Sequence, residues 1–394
     1  MSNIKEIINQ KIEAIFNKVV GYREHLHKHP ELSFEEFETA KFVEDTLHSI
    51  GIQNIQRIGK TGVTGLILGK HHSLNDKFIG LRADLDALPI IEENEVAYKS
   101  QNEGVMHACG HDVHTSVLLG AAEILNEIKD ELPEPIKLIF QPGEEKNPGG
   151  ATILIKEGIL ENPLVSKMYA LHVFPEMLAG KVGYKAGLYM ASCDEVYITI
   201  HGKGGHGAMP HQCIDPIVIG STLVTTLQQI VSRFCDPKTP CVLTFGHFEA
   251  IGATNVIPSK ALLKGTFRTM DESWREKALV LIEKQVKSIV HSFGGEVDIE
   301  ISRGYPCLIN DEVLTYDAKE KLIHCLGDEN VSELPIRLTS EDFSFYSQKI
   351  PVCFIRLGVG DENKEMNYGV HHPKFDIDSS SIKTGIETIV NLVF

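Results

Sequence analysis

The chain has 394 residues, 42% of them hydrophobic and 23% charged, and its 38 Lys+Arg against 54 Asp+Glu give a formal net charge of −16. That length exceeds one ordinary domain of about 100–150 residues, and the usage of 33 Gly and 17 Pro excludes collagen-like, coiled-coil and low-complexity classes. The acidic field repels phosphate backbones and anionic lipid, which argues against nucleic acid and the membrane surface as partners.

The chain opens on a helical pattern over 1–20, with Ile7, Ile8, Ile12, Ile15 and Phe16 spaced along one face and Lys5, Glu6, Lys11 and Glu13 between them. This is not the unbroken apolar run of a signal peptide. No later window reaches the roughly 18 apolar residues of a spanning helix. The eight cysteines lack a pairing rhythm. Reduced thiols in a cytoplasmic protein are the expectation.

A helix is predicted over 35–50, ending at Gly51, then short apolar strands over 63–68 and 78–82. A helix over 113–129 and strands over 136–140 and 168–171 follow. Strands alternating with helices predict an α/β domain, its sheet mixed but largely parallel, with helices on both faces. From about residue 190 the rhythm changes to a strand over 195–200, a helix over 214–234, strands over 242–245 and 261–267, a helix over 273–293 and a strand over 297–301. That β-α-β-β-α-β order is an α+β ferredoxin-like unit. The α/β rhythm resumes with 311–326, 352–357 and 382–392. The predicted division is therefore a discontinuous domain, 1–189 with 305–394, and an insert, 190–304.

Chemistry-bearing residues gather after the strands of the first domain. Asp84 and Asp86 follow one strand at a spacing that puts both on the same side, and Cys109 and His111 form a Cys-x-His pair with His114 three residues on. Glu144 and Glu145 stand behind a Pro-Gly turn, where one carboxylate can bind a cation and the other handle a proton. His172 ends another apolar strand, and His371 and His372 lie near the C-terminus. Each motif alone has a plainer reading: Glu-Glu pairs are commonly solvated, and a lone His at a strand end is commonly a satisfied core residue. Position raises them together, because in open α/β sheets the ligand crevice lies outside the carboxyl ends of the strands. In the insert, Gly202-Lys-Gly-Gly-His-Gly-Ala-Met-Pro210 is glycine-rich but lacks the P-loop ending and any dinucleotide fingerprint.

In this order, the chain resembles the dinuclear-metal amidohydrolases that include N-acyl-L-amino-acid amidohydrolases, hippurate hydrolases and indoleacetyl-amino-acid hydrolases. The resemblance runs from His29-Pro-Glu-Leu32 through Arg82-Ala-Asp-Leu-Asp-Ala-Leu-Pro89, Cys109-Gly-His-Asp-Val-His114, Gln141-Pro-Gly-Glu-Glu145 and Leu171-His-Val173. It continues through Gly204-Gly-His-Gly-Ala-Met-Pro-His211, Asn255-Val-Ile-Pro258, Gly265-Thr-Phe-Arg268, Ser340-Glu-Asp-Phe343 and His371-His-Pro373. It implies two divalent ions per subunit, Zn, Mn or Co, held by Cys109, His111, Glu145, His172 and His371, and an apo protein where they are lost. It implies Glu144 as catalytic base, His206 as oxyanion donor, and Asn255 and Arg268 as substrate-binding residues. Asp86 is the aspartate expected to orient a ligating His, which usually donates its other N–H to a carboxylate. The Cys ligand marks the amidohydrolase branch, and His371 is chosen over His372. The insert is expected to serve as lid and homodimerisation surface, His206 reaching a neighbouring subunit's site. The reaction implied is cleavage of a small N-acyl amino acid, N-acetyl, N-benzoyl or similar, to a carboxylic acid and a free amino acid by a metal-activated water. The alternatives are a metallo-exopeptidase on the same fold, a cysteine-nucleophile hydrolase built on Cys109, and a non-catalytic metal-dependent binder.

Overall fold

Strands that are apolar along their whole length belong in the middle of a sheet covered on both faces. The computed structural model describes residues 2–362 and 368–394, with side chains from residue 5. It folds as two compact units, Met1–Gly187 with Ile309–Pro335 and Phe345–Phe394, and Leu188–Leu308 with Ile336–Ser344.

In the first unit, Ile136–Gln141, Phe78–Asp84, Val165–Leu178 and Val352–Gly360 lie side by side and parallel. Gly62–Ile67 and then Gln53–Ile58 add antiparallel strands on one edge, and Val182–Tyr184 and Val331–Glu333 complete eight strands on the other. The mixed, centrally parallel sheet agrees with the sequence reading. Register places Leu81, Leu138, Tyr169 and Cys353 in one row, and their face joins a single apolar cluster with the helices Ser2–Lys28, Phe37–Ser49, His111–Glu127, Glu312–Leu326 and Ser381–Leu392. Truncating the fully buried Leu81 to Ala would cost about 2–5 kcal/mol.

The other face is mixed: alternation turns Arg82, Asp84, Lys137, Gln141, His172 and Arg356 toward it among Ile139, Met168 and Phe354, all buried. Lys137 Nζ donates to the carbonyls of Ile159 and Asn162, in the turn after the short helix Gly150–Lys156. The expectation of helices on both faces thus holds unevenly, with five on one face and this short segment against the other.

The second unit has a four-stranded sheet in the order Cys241–Glu249, Lys260–Thr269, Asp194–His201, Glu296–Arg303, antiparallel throughout. Helices Pro216–Gln229 and Glu272–Ser292 share its apolar face through Val196, Ile198, Ile200, Leu223, Leu227 and Ile282. Each helix begins at an aspartate cap: Asp215 accepts from Ile217 N–H, with Pro216 in the first turn, and Asp271 accepts from Trp274 N–H. The helix predicted to run to 234 leaves the α form after Gln229 and ends in a wider π turn, Ile230–Phe234.

Candidate metal centre

The five expected ligands converge within the first unit: His172 projects from inside the strand Val165–Leu178, and the other four stand in or just after loops and turns. Helix His111–Glu127 starts after Gly110, whose φ of 80° is left-handed and whose added Cβ would lie 2.6 Å from Val173 Cγ2. Only glycine fits there, and it lets Cys109 and His111 turn to the same side. His371 has a φ of 66°, unusual for a residue with a Cβ, and its N–H donates to the Ala108 carbonyl at 2.7 Å, fixing it beside Cys109.

Two groups of three donors share one sulfur: Cys109 with His111 and His172, and Cys109 with Glu145 and His371, each with its atoms within 4.8 Å of one another. Cys109 Sγ is 3.4 Å from His172 Nε2, and His371 Nε2 is 3.2 Å from Glu145 Oε1. His372 turns elsewhere, its ring stacked on Tyr368 at 4.3 Å.

Hydrogen bonds settle which ring nitrogens remain available. His172 Nδ1–H donates to the Val173 carbonyl at 2.8 Å, leaving Nε2 with its lone pair. His111 Nδ1 faces Asp86 Oδ1 at 3.2 Å, leaving Nε2 inward. His114 is closed on both sides: Nε2 accepts from Val173 N–H at 2.9 Å and Nδ1 donates to Asp84 Oδ1 at 2.5 Å. It is a structural brace although it lies near His111 and Asp84. His111 Nε2 is buried without a hydrogen bond, 4.0 Å from Glu145 Oε1, which itself lies 3.2 Å from His371 Nε2. Buried polar atoms are ordinarily satisfied. A soft-to-borderline cation between thiolate, imidazoles and carboxylate would satisfy His111 Nε2, so the residues present fit a divalent ion.

Electrostatics point the same way. Burial opposes the charge of His111, but Asp84, Asp86 and Glu145 outweigh it and push the group up to about 10. His172 is held well below its ordinary value by burial and by Arg356. Burial, then Glu145 and Glu144, push the Cys109 thiol well above its ordinary value. A cation replacing these protons would invert that balance.

Asp86 is fixed on every side: Ser33 Oγ–H donates to Oδ2 at 2.6 Å, and the N–H groups of Glu144 and Glu145 donate to Oδ1 and Oδ2 at 3.1 and 2.9 Å. Glu144 is buried beside His111 and Glu145. Asp84, with Asp86 a candidate from sequence for orienting a ligating His, takes Arg82 Nη1–H at 2.6 Å as well as His114. Sequence reasoning gave no role to Glu36, whose signal was a charge on the stripe Glu36, Ala40, Val43, Leu47 that the helix buries.

In the second unit, His206 and Asn255 come together at a two-stranded ribbon, Gly205–His206 against Val256–Ile257, where Gly207 N–H donates to the Asn255 carbonyl at 2.8 Å. The exposed His206 ring accepts from Ala208 N–H at 3.0 Å. Arg268, on the strand Lys260–Thr269, donates to Ser340 Oγ at 2.7 Å.

A catalytic-domain sheet with buried thiol, imidazole and carboxylate donors beyond its strand ends is the architecture of a metallohydrolase. Residues 80–394 match the model of peptidase family M20/M25/M40, and the chain belongs to that family, as a hydrolase of amide bonds. It is 42% identical over 306 residues to the N-acyl-L-amino acid amidohydrolase of Geobacillus stearothermophilus, covering 78% of this chain and 81% of that protein. It is 38% identical to the N-acetyl-L-cysteine deacetylase of Bacillus subtilis, over 94% of this chain and 86% of that one. The crystal structure of the Bacillus subtilis YXEP protein, a dinuclear metal binding peptidase of the same family, superposes with a TM-score of 0.79 at 30% identity, covering 97% and 98% of the two chains. Among the described residues no helix is long and apolar enough to cross a membrane.

Proposed function

We propose that this protein hydrolyses the amide bond of N-acyl amino acids to a carboxylic acid and a free amino acid, using two divalent ions per subunit. The observation that carries the reading is the sharing of Cys109 by two three-donor groups, with His111 Nε2 buried beside them without a hydrogen bond. In this reading Cys109, His111, His172, Glu145 and His371 hold the ions, and Zn, Mn or Co suits the donors better than Ca or Mg. Such a pair, when bound, polarises the amide carbonyl and makes water acidic enough to ionise near neutrality. Glu144 takes the proton of the attacking water and returns it to the departing nitrogen. Asp86 keeps His111 in the tautomer that presents Nε2 and holds the backbone of the Glu pair.

Within the same proposal, residues 190–304 form the ferredoxin-like lid and the surface of a homodimer, distinct from the catalytic part, 1–189 with 305–394. His206 donates to the developing oxyanion, a contribution of about 2.7–4 kcal/mol where such donors have been removed. Asn255 and Arg268 bind substrate, the Arg268 guanidinium offsetting the chain's net −16 for a carboxylate substrate. The free cysteines favour a reducing compartment such as the cytoplasm.

The names of the two amidohydrolase relatives support the N-acyl substrate class. The peptidase name of the YXEP protein favours a second reading, a metallo-exopeptidase working at the same donors. A cysteine nucleophile is disfavoured, because burial and the Glu145 and Glu144 carboxylates raise the Cys109 thiol when nucleophilic catalysis needs it lowered. The deciding experiment is a panel of N-acetyl, N-benzoyl and N-indoleacetyl amino acids beside di- and tripeptides, assayed with each metal and after chelation. Chelator-sensitive turnover of the acylated amino acids is expected; turnover of peptides alone selects the exopeptidase reading.

A further inference from the structure

Three consecutive backbone N–H groups, those of Gly143, Glu144 and Glu145, point at carboxylates from outside their own loop. Glu144 and Glu145 donate to Asp86, and Gly143 N–H donates to Glu36 Oε1 at 2.8 Å. Glu36 is fully buried and both its oxygens are occupied: Oε1 also takes Phe34 N–H at 2.9 Å, and Oε2 takes Thr61 Oγ1–H at 2.6 Å. It stands at the N-cap of helix Phe37–Ser49, where an acidic side chain ordinarily turns back to cap its own helix. Here Glu31 does the capping, accepting from Glu38 and Thr39 N–H at 3.2 and 2.8 Å, and Glu36 reaches away from the helix to the loop. Gly143 has a φ of 60°, and an added Cβ would lie 2.3 Å from the Phe34 ring. Its carbonyl accepts from Gly150 N–H at 2.9 Å, closing the turn.

We propose that Glu36 is a positioning residue for the Glu144–Glu145 pair: by holding Gly143 N–H it sets where the two following carboxylates stand. The inference rests on the reading of Glu144 as base and Glu145 as metal ligand. A displacement of about 1 Å at reacting groups costs on the order of 10²-fold in rate, so the hold matters to catalysis out of proportion to one hydrogen bond.

The test uses the full-length metal-loaded protein with Glu36→Leu, which fills the space without an acceptor, and Glu36→Gln, which keeps an acceptor for Gly143 and Phe34. Three readouts are kcat against KM, the rate at which ions pass to a chelator, and the melting temperature. Glu36→Leu is expected to lower kcat about 10²-fold with KM nearly unchanged, and to release one ion about 10-fold faster; Glu36→Gln stays within a few-fold on both. If Glu36→Leu does not fold, Glu36→Asp replaces it, since the shorter side chain withdraws its oxygen from Gly143 while keeping the charge, and the same losses are expected. The proposal is overturned if Glu36→Leu or Glu36→Asp melts lower yet keeps normal kcat and ion release. It is also overturned if Glu36→Gln is as impaired as Glu36→Leu. Glu144→Gln and Glu145→Gln run alongside: if neither changes turnover or metal binding, the failure belongs to the proposed function itself.

Discussion

Replacing Asp86 with Ala withdraws an acceptor from four donors at once: His111 Nδ1 at 3.2 Å, Ser33 Oγ at 2.6 Å, Glu144 N at 3.1 Å and Glu145 N at 2.9 Å. Asp86 is only 1% exposed, so bulk solvent does not reach these donors. Each buried donor left without a partner costs about 1–3 kcal/mol. The four do not add, because they share one carboxylate, and removal of one member of a buried charged network costs about 3–5 kcal/mol as a whole. Relief of the repulsion that Asp86 exerts on Glu36, itself pushed up to about 7 by burial and by that charge, returns part of the loss. The expected net is about 3 kcal/mol, a fall of several degrees in melting temperature. The same change frees the His111 ring and should weaken metal binding about 10–100-fold. Thermal melts of metal-free and metal-loaded protein, with competition against a chromophoric chelator, measure both. A variant that melts lower but competes for metal as well as the parent would refute the reasoning, since Asp86 would then brace the loop without orienting a ligand.

Glu144→Gln should keep metal content near that of the parent while turnover falls by about 10²–10⁴, whereas Glu145→Gln should lose metal; equal metal loss in both, by elemental analysis, contradicts the separate roles. Cys109→Ser should weaken at least one ion, and thiol labelling of the parent should find Cys109 protected until chelator is added. Rapid labelling with metal bound would remove Cys109 from the ligand set. A separate pH effect concerns His27, whose Nδ1 lies 2.7 Å from Asp112 Oδ2 and Nε2 3.2 Å from Glu92 Oε1. Burial and the Arg23 guanidinium oppose its charge, but Asp112 and Glu92 prevail and raise it above 6.5. A raised folded-state value means the stabilisation is complete below about pH 6.5 and is lost as pH rises through the folded value. Melting curves should therefore show an alkaline decline that His27→Gln flattens; an unchanged slope counts against the assignment.

The buried strands were legible because each is a short apolar run bounded by turns, and all four parallel strands lie where that pattern stands. Their lengths were not: Val165–Leu178 runs 14 residues, because pairing with Val352–Gly360 continues past the apolar stretch through His172 and beyond. Gln53–Ile58 escaped notice since its residues are mostly exposed and polar, and antiparallel pairing to Gly62–Ile67 holds it instead of burial. Among site residues, Cys109, His111 and the Glu pair carried their own spacing. His114, three residues past His111, carried no assigned role in sequence, and the Val173 N–H on its second nitrogen makes it a brace. Glu36 drew no reading from the sequence, because its partner Gly143 lies 107 residues away.

The central claim, two ions acting together on an amide through one shared thiolate, is tested most directly by titrating metal-free protein with Zn, Mn or Co while following both bound metal and hydrolysis of an N-acyl amino acid. The account predicts that activity rises to a plateau at two equivalents per chain, and that Cys109→Ser shifts the binding of both ions. Full activity in chelator-treated protein, or a plateau at one equivalent with Cys109→Ser unaffected, would contradict it.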